Sequence, residues 1–123
     1  MIAYDKKGNP QVGEAAKNLA KRVPEKCLYD AKRFIGKKKE DPDYYKIEER
    51  AAFWPFKIGI HDRTKKLKYI WKDKNNVDKD ERPEYVSKYV LEKMREAARV
   101  VLSDGIDNSR RCVVTIPAYF SEA

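Results

Sequence analysis

The chain has 123 residues, enough for one domain that buries roughly two-thirds of its unfolded surface without staples. Lysine and arginine number 28 against 20 aspartates and glutamates, a formal charge of +8 that favours anionic partners and says nothing of fold. A single histidine, His61, and two distant cysteines, Cys27 and Cys112, exclude a His-based zinc cluster, and no apolar run approaches the ~20 residues of a membrane span. No metal ligands are assigned, no secretory leader is read ahead of the first element, and a reducing cytoplasmic setting is expected.

Residues 1–12 read as a hairpin. Ile2, Ala3 and Tyr4 form a short strand, Lys6 to Pro10 supply turn chemistry, and Gln11 and Val12 begin the return. A helix is expected over 13–22, with Val12, Ala15, Ala16, Leu19, Ala20 and Val23 on one face and Pro24 as its stop. Lys17 falls opposite that stripe, where a solvated lysine is the ordinary reading.

The next stretch, Tyr29 to Gly36, is expected to make one helical turn held down by Ala31, Phe34 and Ile35. Lys32 and Arg33 then project from a fixed base, which suits an anion such as a phosphate; two solvated cations on amphipathic stems is the plainer alternative. After the charged run 37–40, Asp41 reads as an N-cap with Pro42 at the first helical position, and Tyr44, Ile47, Ala51 and Trp54 form a stripe that Pro55 ends.

Two alternating runs follow, Phe56 to His61 and Lys66 to Lys72, joined by a four-residue loop, Asp62 to Lys65. Residues 73–81 are polar but for Val77 and read as a surface loop or boundary. Pro83 opens a long helix to about residue 102, with Val86, Tyr89, Val90, Met94, Ala97, Ala98 and Val101 as the buried stripe and Gly105 free to end it. Cys112 to Ile116 reads as a strand buried on both faces. The fold class expected is α+β: a small antiparallel sheet with the helices over 13–22 and 83–102 packed on it, and with Trp54, Phe56 and Met94 buried.

Five segments share one resemblance. Tyr29-Asp30-Ala31-Lys32-Arg33-Phe34-Ile35-Gly36 resembles the V/F-D-A-K-R-L-I-G of the seventy-kilodalton heat-shock chaperones, the DnaK-type family. Val12 to Asn18 resembles its I-G-D/E-A-A-K-N, and Phe53-Trp54-Pro55-Phe56 its H-W-P-F. Leu91 to Glu96 is similar to its L-x-K-M-K-E, and Val113 to Phe120 to its V-V-T-V-P-A-Y-F. The five occur in the family's order and roughly its spacing.

The resemblance implies a slice of lobe I of an actin-like ATPase fold. Residues 1–82 would be its outer subdomain, and 83–123 part of its inner subdomain. It implies ATP or ADP with Mg²⁺ as cofactor of the full protein, and a chaperone function on unfolded polypeptide. Lys32 would reach the terminal phosphate and position the attacking water, where a point charge stabilises the transition state. Arg33 would line the nucleotide side of the cleft, Lys17 would sit on the cleft rim, and Pro117 would serve signalling between the ATPase and peptide-binding halves. The implied partners are the remainder of the ATPase domain, a nucleotide-exchange factor and, through a further domain, unfolded chains.

Within this chain the phosphate apparatus is thin. Its five glycines, Gly8, Gly13, Gly36, Gly59 and Gly105, are scattered, so no Gly-rich loop brings backbone N–H groups onto an anion. The family's two phosphate hairpins, its adenosine site and its metal-organising aspartates have no counterparts, so the slice alone is expected neither to bind ATP tightly nor to hydrolyse it. Two other functions fit the composition. Lys66 to Lys72 interleaves cations and aromatics as a single-stranded nucleic-acid platform would, although Tyr69 and Trp71 share the face of Leu67, away from the lysines. An interaction module for an exchange factor is the other.

Overall fold

The computed structural model describes residues 1–102, 112–118 and 120. Its order is β1 (Ile2–Tyr4), β2 (Pro10–Val12), α1 (Glu14–Ala20), β3 (Cys27–Leu28), α2 (Ala31–Phe34), α3 (Tyr44–Ala51), β4 (Lys57–Ile60), β5 (Leu67–Lys72), β6 (Asp78–Glu81) and α4 (Pro83–Val101), with a 3-10 turn at Pro24–Lys26. The class is α+β, with the strands in two antiparallel sheets of order β2-β1-β3 and β4-β5-β6.

The first hairpin forms as its turn residues require. The Asp5 carboxylate accepts the N–H groups of Lys7 and Asn9 at 2.8 and 2.9 Å, closing the β1–β2 loop. β1 is the central strand, so both its faces are covered. Ala3 packs with Ala16 and Cys27 beneath α1, while Ile2 and Tyr4 enter the main core. That core joins both sheets and α2, α3 and α4 through Leu28, Phe34, Ile47, Phe56, Leu67, Tyr69, Trp71 and Val86. Burying one side chain of this size stabilises by roughly 1.5–3 kcal/mol, against a few tenths for a surface pair such as Lys88–Glu92.

Several expectations need correction. β6 occupies residues read from sequence as loop. Its segment Asp78–Glu81 lacks apolar alternation because cross-strand ion pairs replace it: Lys72 with Asp78 and Lys68 with Asp80, each at 2.9 Å. The turn before it is built by Asp73, whose carboxylate accepts Asn75 and Val77 N–H, and by Asn76 at a φ of 61°. The expected cap of α3 lies two residues later, at Asp43. The Asp41 carboxylate instead accepts the Lys38 N–H at 3.0 Å. In α1 the inward stripe narrows to Ala16, Leu19 and Ala20, and Ala15 is exposed.

Two larger corrections concern the C-terminal third. α4 buries only its first turns, through Pro83 and Val86 with Tyr89 and Val90 half-buried; Met94 is 63% and Val101 82% exposed. The apolar period of the helix is real, but no described element lies against its second half. Likewise the run Cys112 to Ile116 forms no strand, and Val113 is 92% exposed. A strand exists by hydrogen-bonding a neighbour, and none flanks this run among the described residues. The expected role of Gly105 lies outside the described residues.

Candidate functional site

A four-residue helix has no stability of its own, so α2 must be held from outside. Three contacts do this. Phe34 is fully buried, edge-on to Tyr69 with ring centroids 4.7 Å apart. Ala31 is buried, and α2 packs against α4. The entry and exit are set by two residues with positive φ, Asp30 at 60° and Gly36 at 75°. Aspartate is one of the few side chains that adopts this left-handed region readily. Its carboxylate then does a second job. Oδ2 accepts the Trp54 indole N–H at 3.3 Å and lies 3.4 Å from Nε of Arg33.

The aromatic floor beneath is a continuous cluster. Trp54 stacks on Phe56 at 5.3 Å, Phe56 meets Tyr69 edge-on at 4.9 Å, and the Tyr69 hydroxyl donates to the Tyr29 carbonyl at 2.7 Å. Burial raises the Tyr69 hydroxyl's pKa well above the ordinary tyrosine range, with the Asp30 carboxylate adding to it. This ring supports α2 and does not face solvent.

Lys32 and Arg33 are adjacent, hence about 100° apart around the helix, and face different cavities. Lys32 is exposed and stands on a ridge between two grooves. One, of about 380 Å³, is lined by Lys32, Ile35, Gly36, Lys37, Lys66, Glu84 and Phe120. The other, of about 330 Å³ and mostly apolar, lies toward α4 and includes Asp30, Val86 and Val90. Arg33 lines a third cavity with Asp43, Lys46 and Arg50 and is tied to Asp30. Lys37, beside Lys32, is not free: Asp43 holds its ammonium at 3.0 and 3.1 Å, which lowers the carboxyl pKa of Asp43.

A family model described as Hsp70 protein matches residues 1–123. The chain belongs to the Hsp70 family. A curated relative, the "Heat shock 70 kDa protein" of Ajellomyces capsulatus, is 36% identical over 112 residues, covering 91% of this chain. The chain spans 15% of that relative's length.

In this Hsp70-family chain the four residues singled out from sequence do not converge. Lys32 and Arg33 share α2 but diverge into separate cavities. Lys17 stands exposed on α1, over the first sheet, and lines neither groove beside Lys32. Pro117 is half-buried, and its carbonyl accepts the N–H of Phe120, a residue of the Lys32 groove, at 3.0 Å. Sequence reading missed Lys66 and Glu84, which line that same groove. Lys66 falls on the outward parity just ahead of β5, and nothing local shows that this position meets the segment leaving α2. The nucleic-acid platform loses its stacking surface, since Tyr69 is fully buried and Trp71 is stacked on Tyr4 at 4.1 Å. No helix among the described residues is long and apolar enough to cross a membrane.

Proposed function

We propose that this chain is part of the ATP-binding and hydrolysing domain of a heat-shock-type chaperone. Residues 1–82 would form the outer subdomain of the first lobe of an actin-like fold, and 83–123 would contribute to the inner one. The observation that carries the reading is the ammonium of Lys32, unpaired among the described residues, on a short helix clamped by Phe34, Asp30 and Trp54. A point charge on a rigid base loses little freedom when it meets a phosphate, and it acts on charge that develops during phosphoryl transfer. Arg33 enters as the residue that braces Asp30 and as a second cation toward the nucleotide. Lys17 is proposed for the cleft rim and Pro117 for signalling to a peptide-binding half.

When bound, Mg²⁺ would supply positive charge against the charge that develops on the phosphates. The Lys32 groove offers three ammonium groups and one carboxylate, a donor set that suits the phosphate rather than the metal. Among the described residues no cluster of three or more metal-capable side chains occurs. The proposed partners are the remainder of the ATPase domain, an exchange factor and unfolded polypeptide. A cytoplasmic location is proposed with them, in keeping with the free thiols of Cys27 and Cys112.

The test is Lys32→Ala in the longer protein that carries this segment. ATP affinity should stay within about twofold, while single-turnover hydrolysis falls by roughly 10²–10³. An unchanged single-turnover rate refutes the role of Lys32.

A further inference from the structure

We propose that Lys66 is a second anion-binding residue beside Lys32, and that the groove between them is a two-ammonium subsite for a phosphate-type oxyanion. This deepens the reading of Lys32 given above and rests on it for the identity of the nucleotide, though not for the binding of the anion.

The backbone brings the two lysines together. The chain leaving α2 is bonded to the start of β5: the Leu67 N–H donates to the Lys37 carbonyl at 2.9 Å, and Lys38 and Lys66 form an isolated antiparallel bridge. The β4–β5 loop is itself closed, with His61 N–H donating to the Lys66 carbonyl and Lys65 N–H to the His61 carbonyl, both at 2.8 Å. Lys66 is therefore presented from a fixed hairpin into a groove of about 380 Å³ that Lys32 also lines.

Charge on the groove is unbalanced. Of its three lysines, Lys37 is held by Asp43 at 3.0 Å. Among the described residues, the ammonium groups of Lys32 and Lys66 carry no ion pair or side-chain hydrogen bond. They face one carboxylate, Glu84, so the unpaired lining sums to one positive charge. Two lysines on separate elements can hold a tetrahedral anion from two directions, whereas a lone lysine approaches it from one. The next outward lysine, Lys68 on β5, is neutralised by Asp80 at 2.9 Å, so the unpaired cation occurs where the chain entering β5 meets the segment leaving α2.

The experiment titrates the 123-residue chain with inorganic phosphate and, separately, with ATP, reading amide shifts by NMR at ~150 mM salt, where loose surface attraction is screened. Adenosine serves as the control without phosphate. Saturable shifts are expected at Lys32, Gly36, Lys37 and Lys66 with both anions, and none there with adenosine. Lys66→Ala should weaken both anions about fivefold, Lys66→Arg should retain them, and Lys68→Ala should change affinity by less than about twofold. Equal losses in the Lys66 and Lys68 variants, or shifts spread over all exposed lysines, would overturn the subsite and leave only diffuse attraction. Failure of the ATPase reading is visible separately. A chain that binds phosphate here, while the longer protein hydrolyses ATP normally with Lys32→Ala, keeps the subsite and loses the catalytic role.

Discussion

At the scale of single residues, Asp30 and Gly36 explain why this turn needs these amino acids. Both sit at positive φ, 60° and 75°, on either side of a four-residue helix. Asp30 tolerates that conformation and then anchors Trp54 and Arg33, so one side chain serves backbone and packing together. Gly36 tolerates it by lacking a Cβ. A Cβ built there meets nothing within 4 Å, so the conformation alone sets the cost of adding one. Gly36→Ala should therefore destabilise by about 1–2 kcal/mol, read by urea denaturation. A neutral result would mean the exit from α2 relaxes to negative φ without strain. The anchoring by Ala31 and Phe34 was legible in the sequence, because apolar residues flanking two cations at helical spacing leave one burial solution. The double role of Asp30 was not. It depends on Trp54, 24 positions away, and no local pattern shows that contact.

At the scale of elements, periodicity succeeded where a face meets the core and failed where charge or missing neighbours decide. The strands over 57–72 were legible because Leu67, Tyr69 and Trp71 alternate cleanly, and all three are buried. β6 was illegible because its stabilisation comes from ion pairs with β5, a relation between strands. α4 was legible as a helix and misread as a core element over its full length. A 3.6-residue stripe tells which side would be buried, and only a packed partner tells how far. Two substitutions measure this in the 123-residue chain. Val86→Ala, at 2% exposure, should cost about 2 kcal/mol. Met94→Lys, at 63% exposure, should stay within about 0.5 kcal/mol. Comparable losses by denaturant titration would show that the second half of α4 is covered in solution.

At the scale of the whole molecule, the question is how much of a nucleotide site this chain holds by itself. Tight binding needs converging backbone donors, a metal held by carboxylates, and a pocket that buries the base. Among the described residues, the glycines with positive φ, Gly8, Gly13 and Gly36, lie at three separate turns and form no common cradle. Asp30 is engaged by Trp54 and Arg33, and Asp43 by Lys37, which leaves Glu84 as the carboxylate of the Lys32 groove. What remains is cationic: Lys32 and Lys66 in one groove, within a formal charge of +8. The rest of the surface charge attracts ATP diffusely at low salt and fades once the Debye length shortens to about 8 Å, which leaves the Lys32–Lys66 groove to supply the affinity that persists. Calorimetry of the chain at ~150 mM salt should accordingly show ATP binding no tighter than millimolar, with most of the affinity supplied by the phosphates, so that inorganic tripolyphosphate binds about as well as ATP. A micromolar dissociation constant for ATP, much tighter than for tripolyphosphate and lost in Lys32→Ala, would reverse this conclusion. It would mean that the apolar groove beside Lys32 receives the base, and that the chain holds a nucleotide site of its own.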